Sequence, residues 1–450
     1  MPTSVPPPSR PALRGRCVPV LVAGVLLTSS ACASSGTARD VAAPGPDGGT
    51  HAHSTAPAAV PAVVPARGAP RAQAAPTDAV QLRSDLERLL GAHVLLADEL
   101  VRARTAGQPA RVTALAGSVD RNQAELAAAV SALAGPQAGE SFAQVWSEHV
   151  DVLAAYATAL VEGDRTAQSA LRTRYTGIEQ RLGGALSAVA GASVPRSAVQ
   201  AAATEHGEHL LDQADASAAG AHDTAFSVQR TAFGHMIMVA DVLARGAATA
   251  KGLPTAELDA PRRQLQTALS RLLAEHMGLM VQAMRAAQDR SPDFGAAGRA
   301  VNANTTDLGG AVATLYGKPA SDQFLAVWGD HVEALIAYAG TQEQAARDDA
   351  RSRGVDYAPR LARFLAGATE QRLPAIELAS ALTQHDDHLR RQLDAYAEDD
   401  LDEAQAQAEQ GYTHMFELAS ALAVAVGDTV AAKLPSGGAA TGGGGLAGGR

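Results

Sequence analysis

Aromatic side chains are scarce in this 450-residue chain: Phe, Trp and Tyr make up 4%, although hydrophobic residues as a whole reach 46%. The apolar content therefore falls on Ala, Leu and Val. Ala and Leu are strong helix formers, and small side chains let helices pack closely. Cysteine is scarcer still. Cys17 and Cys32 are the only two, and both lie ahead of the body of the chain, so a disulfide framework or thiolate metal site is excluded there. Positive charge is also short. A formal net charge of -10, with no basic stripe, argues against a nucleic-acid partner. There is no Gly-rich phosphate loop, no nucleophile motif and no redox cysteine pair, and the expectation is a protein that is not an enzyme. Alternating strand patterns of useful length are missing as well, which points to an all-α body.

What is present begins with Arg10, Arg14 and Arg16, followed by an apolar run from Cys17 to Ala31. A membrane-spanning helix needs about 20 apolar residues, so this shorter run makes residues 1–31 a signal peptide. It ends Ser29-Ser30-Ala31-Cys32, which resembles the lipobox of bacterial lipoproteins, with Ser29 where an aliphatic residue is commoner. The resemblance implies lipid attachment at Cys32, with the membrane as partner through that anchor, and a location on the extracytoplasmic face of the cell membrane. The alternative is ordinary cleavage near Ala33. Residues 32–77 are dominated by Ala, Pro, Gly, Ser and Thr and read as a disordered stalk, because such a segment buries too little apolar surface to offset its ordering entropy. His51 and His53 within it read as solvated linker. Residues 434–450 read as a Gly-rich disordered tail.

Between these ends the chain repeats itself. Leu89-Leu90-Gly91-Ala92-His93 matches Leu272-Leu273-Ala274-Glu275-His276, and the segment from Phe142 through Trp146 and His149 to Val150 matches that from Phe324 through Trp328 and His331 to Val332. His206-Gly207-Glu208-His209 matches His385-Asp386-Asp387-His388, and His235-Met236 matches His414-Met415. The offset falls only from 183 to 179 along the chain, which identifies a duplication with copies at 78–247 and 259–433. Each copy reads as a six-helix bundle of three hairpins. Leu82, Leu86, Leu89, His93, Leu96 and Leu100 share one helical face, as do Phe142, Val145, Trp146, His149, Val152 and Tyr156. Breaks fall at Gly107-Gln108-Pro109, Gly135-Pro136, Gly163-Asp164, Ser193-Val194-Pro195 and Gly220.

Each helix carries a polar residue in the middle of its apolar stripe. In the first copy these are His93, Asn122, His149, Tyr175, His206 with His209, and His235; in the second they are His276, Asn304, His331, Tyr357, His385 with His388, and His414. Hairpin spacing brings the members of each pair to the same height. A cluster of up to five imidazoles is expected in each copy, with Asn122, Tyr175, Asn304 and Tyr357 orienting ligand rings rather than binding metal. Burying several imidazoles without a metal would require a partner for every ring nitrogen. The stripes are poor in carboxylates: Glu125 and Asp307 follow the Asn by one turn, and Glu148, Glu205 and Glu275 point sideways. His-rich sites of this kind suit copper or zinc, and Met238 and Met280 near His235 and His276 lean towards copper.

The succession Glu-His, Trp-x-x-His, His and His-Met over about residues 78–433 is similar to a group of uncharacterised bacterial helical-repeat proteins, sometimes found beside copper-amine-oxidase-type domains. That group implies no activity. The sequence reading is thus a cell-surface lipoprotein with a transition-metal site in each bundle. A hemerythrin-like di-iron or haem protein and a non-catalytic scaffold or adhesion module are the alternatives.

Overall fold

Asp78 begins the first helix: its carboxylate accepts the backbone N–H of Val80 at 2.6 Å and caps the otherwise unpaired first turn. In the computed structural model, which describes residues 78–433, twelve α-helices follow and no strand occurs among the described residues. The first copy holds α1 (Ala79–Thr105), α2 (Pro109–Ala134), α3 (Pro136–Glu162), α4 (Arg165–Ala190), α5 (Arg196–Ala218) and α6 (His222–Ala250). The second holds α7 (Pro261–Asp289), α8 (Phe294–Tyr316), α9 (Lys318–Ala339), α10 (Gln344–Ala368), α11 (Ala375–Ala397) and α12 (Leu401–Lys433). The all-α architecture and its six-plus-six repeat are as the sequence led us to expect. The segments expected to be a signal peptide, a stalk with His51 and His53, and a tail, together with Cys32, lie outside the described residues.

The turns are set by local chemistry. Gly163 adopts the left-handed conformation that ends α3, at φ 70°, and Asp164 then caps α4 through the N–H groups of Thr166 and Ala167. Pro109, Pro136 and Pro261 stand in first helical turns, where a missing N–H costs nothing. Consecutive helices pack side by side, and α6 returns to α1 as α12 returns to α7, so each copy closes into a ring. The alternate helices α1, α3 and α5 also touch one another, as do α7, α9 and α11. Three helices that run in the same direction therefore converge in each ring.

The two copies share one continuous apolar core, and the described residues belong to a single compact unit. Helices α1 and α7 are buried on most sides because each serves its own ring and also packs against the other copy. The seam is polar as well as apolar. Arg285 of α7 donates to Glu99 of α1 at 2.9 Å, and Arg102 of α1, which occupies the matched position 183 residues earlier, pairs with Asp293. Gln213 and Gln282 both donate to Asp98, whose carboxyl is pushed up to about 7 by burial. The linker between the copies is packed too: Leu258 is fully buried, and its carbonyl accepts from Arg83.

Candidate metal centres

Converging helices meet at their histidines. His93 on α1, His149 on α3 and His206 on α5 have ring centroids 5.3–5.4 Å apart; His276 on α7, His331 on α9 and His385 on α11 have centroids 5.4–5.6 Å apart. In each triad the three ligand-capable atoms lie within 4.8 Å of one another. All six rings are 0–2% exposed. Trp146 packs on His93 at 4.4 Å and Trp328 on His276 at 4.6 Å, so the tryptophans form a wall of the site as well as filling the core.

Nine ring nitrogens of these triads are buried with no hydrogen-bond partner: Nε2 of His93, and both nitrogens of His206, His276, His331 and His385. A buried polar group left unsatisfied costs about 1–3 kcal/mol, so such a concentration in two small clusters calls for a ligand. Burial holds His93, His206, His276 and His385 well below the usual imidazole range, and neighbouring imidazoles push them further down. They are therefore neutral, the form that binds metal. An ion at about 2.0–2.1 Å from each nitrogen in a tetrahedral shell needs donors about 3.3 Å apart, so the rings have at most about 1.5 Å to close. The donor set fits a transition-metal ion.

The expected five-imidazole cluster is corrected to three. His209, His235, His388 and His414 stand outside the triads, in pairs whose centroids are 5.4 Å and 6.3 Å apart. His235 Nε2 donates to the carbonyl of Ala202 at 3.0 Å and His414 Nε2 to that of Ala381 at 2.9 Å. His388 Nδ1 is paired with Gln407 at 2.9 Å, and His209 is only half-buried. The hydrogen bonds of Asn122 and Asn304 likewise go elsewhere than to an imidazole; they donate to the carbonyls of Leu89 at 2.9 Å and Leu272 at 3.0 Å. These four acceptors have one thing in common. Each stands four residues before a triad histidine, and so already accepts that histidine's own backbone N–H. Asn122, His235, Asn304 and His414 thus pin the helical turns that carry His93, His206, His276 and His385. The odd-numbered helices supply rings, and their even-numbered neighbours hold them in place.

Beside the remaining triad histidines stand carboxylates that the sequence reading missed. Glu179 of α4 accepts from His149 Nδ1 at 2.7 Å. In the second copy Asp386 of α11 lies 3.1 Å from His331 Nδ1, without hydrogen-bond alignment. These acids are not matched in sequence: Leu361 occupies the position of Glu179, 182 residues on, and Gly207 that of Asp386, 179 residues back. Gly207 explains the exchange, because a Cβ there would lie 2.7 Å from the Glu179 side chain. The copies supply the same buried carboxylate from different helices. Five acids weighed from sequence do other work. Glu148 pairs with Arg174 and Arg181 at the surface, Glu125 with Arg88, Asp307 and Glu275 with Arg230, and Glu205 approaches His235 at 3.7 Å. Met238 is 63% exposed, which removes it from any site, and Met280 lies in the apolar core.

Tyr175 and Tyr357 are fully buried against the triads. The Tyr175 hydroxyl is 3.3 Å from His149 Nε2, and the Tyr357 ring stacks on His331 at 4.2 Å. Burial and the nearby carboxylate, Glu179 or Asp386, push both phenols well above their usual range. Comparison of the chain with protein-family models, curated proteins and solved structures gives no match.

Proposed function

We propose that each bundle binds one transition-metal ion, zinc or copper, through its three buried histidines, and that the protein retains metal rather than catalysing a reaction. The observation that carries this is the set of nine ring nitrogens without a hydrogen bond, gathered into two triads at matched positions. A scaffold that needed only packing has no use for them. A di-iron centre needs several inward carboxylates, whereas each triad has a single carboxylate beside it, placed at an imidazole Nδ1. Rings 0–2% exposed leave no open face for a substrate.

Adding zinc or copper ions to the full chain should raise its melting temperature, because an ion that binds only the folded state stabilises it by about 2.7 kcal/mol per site at a free concentration 100 times Kd. A melting temperature indifferent to both metals would remove the reading. We further propose that Cys32 carries a lipid and that the bundles work at the outer face of the cell membrane. The support is the small-residue boundary at Ser29-Ser30-Ala31-Cys32 behind a short apolar run. Cys32→Ala should move the protein from the membrane fraction to the soluble fraction; a variant that stays with the membrane contradicts the anchor.

A further inference from the structure

Three imidazoles leave a tetrahedral ion one donor short, and in both copies a tyrosine is buried against the triad. We propose that Tyr175 and Tyr357 are the fourth ligands, making each centre a tetrahedral site of three nitrogens and one phenolic oxygen that takes a divalent ion. The inference rests on the reading of the triads as metal sites.

Geometry comes first. His149 gives Nδ1–H to Glu179, which leaves Nε2 as the lone-pair nitrogen facing the cluster. The Tyr175 hydroxyl lies 3.3 Å from that nitrogen. In a tetrahedron with metal–ligand bonds of about 2.0–2.1 Å, two donors are about 3.3 Å apart. The hydroxyl is therefore spaced as a coordination neighbour of His149. In the second copy the Tyr357 hydroxyl is buried with no partner at all, and its ring lies over His331 at 4.2 Å with an interplanar angle of 21°. The two tyrosines are 182 residues apart, the same offset as His149 and His331.

Charge gives the second argument. A dry core tolerates an ion only if charge is compensated nearby. Three neutral imidazoles contribute nothing; the first site has the buried carboxylate of Glu179, while at the second Asp386 is already paired with Arg390 at 3.5 Å. At the first site a divalent ion with that carboxylate leaves one positive charge over. A phenolate cancels it, the phenol's proton passing to solvent as the ion enters. Monovalent copper would be neutralised by the carboxylate alone, but it is selected by soft sulfur donors, and the ring and carboxylate groups assembled here are nitrogen and oxygen.

The test uses the full chain and the double variant Tyr175→Phe/Tyr357→Phe, which keeps both rings and removes only the hydroxyls. Each protein is dialysed against zinc or copper(II) ions, and the copper form is examined for the visible phenolate-to-copper charge-transfer absorption. The wild type should hold two ions and show the band. The double variant should lose the band and bind zinc at least about tenfold more weakly, while the metal-free melting temperature stays close to wild type. Tyr175→Phe alone should halve the band. Tight binding by the wild type without the band, or unchanged zinc affinity in the double variant, overturns the tyrosine assignment and leaves the histidine sites standing. Failure of the wild type to bind either ion would overturn both.

Discussion

Replacing His149 and His331 with Ala is expected to take metal uptake from two ions per chain to none, and to abolish the metal-dependent rise in melting temperature. Each is the central member of its triad, in ring contact with both other imidazoles, the tryptophan and the tyrosine. The change also strands Glu179 as a buried acid, which costs about 1–3 kcal/mol, so the metal-free variant should melt lower than the metal-free wild type, while Asp386 keeps its pairing with Arg390. A purely structural role predicts the stability loss with no change in uptake, because in that case there is no uptake to lose. His235→Ala with His414→Ala gives the contrasting outcome. Those rings pin backbone carbonyls instead of binding metal, so both ions should remain, held about 10–100 times more weakly, as expected when a supporting group around a metal ligand is lost. Equilibrium dialysis of the three proteins separates these results, and loss of uptake in the second variant alone would reverse our assignment of the roles.

Acid should unfold the metal-free protein steeply, beginning just below pH 6.5. His93, His206, His276 and His385 are held neutral by burial, their pKa values well below the unfolded value of 6.5. For such a group the unfolded chain binds more protons than the folded one, so its stabilising effect is complete above pH 6.5 and is lost as pH falls below that value. Four groups would give a slope of about 5 kcal/mol per pH unit. Two buried carboxyls oppose it. Glu87 and Asp98 are raised to about 7 by burial, so they stabilise the fold most in acid and lose that contribution as pH rises towards 7. Between pH 6 and pH 5 the balance is four imidazoles against two carboxyls, a net loss of about 2.7 kcal/mol per pH unit. The histidines win. Chemical denaturation of chelator-treated protein at pH 7, 6 and 5 measures this slope directly. A flat or rising stability over that window would show that the triad rings are solvated or charged in the folded protein. Because neutral imidazole is also the ligand, metal affinity should fall over the same window.

The helices and their turns could be read from sequence because their causes are local. Leu and Ala at three- and four-residue steps specify the buried face, and Gly163-Asp164 or Gly135-Pro136 specifies where one helix stops and the next starts. The mid-height polar layer was legible for the same reason. What periodicity could not give is the direction in which each polar group points around the ring. His206 and His235 sit equally well in the middle of their stripes, yet His206 meets two other imidazoles while His235 turns to the Ala202 carbonyl. Only the convergence of α1, α3 and α5 separates the two roles, and that convergence depends on the packing of the whole ring. The carboxylates were hidden by the comparison that exposed the histidines. Matching the copies position by position finds groups present in both, and Glu179 faces Leu361 in that alignment while Asp386 faces Gly207. The spacing held one usable signal: Glu179 follows Tyr175 by four residues and therefore shares its helical face.

X-ray absorption on the zinc-loaded full chain addresses the central claim most directly, because it counts the ligands around the ion. The account predicts two zinc ions per chain, each with three imidazole nitrogens at about 2.0–2.1 Å and the outer-shell scattering of three rings. Zinc that washes out on dialysis, or zinc held by no more than one imidazole, would contradict it.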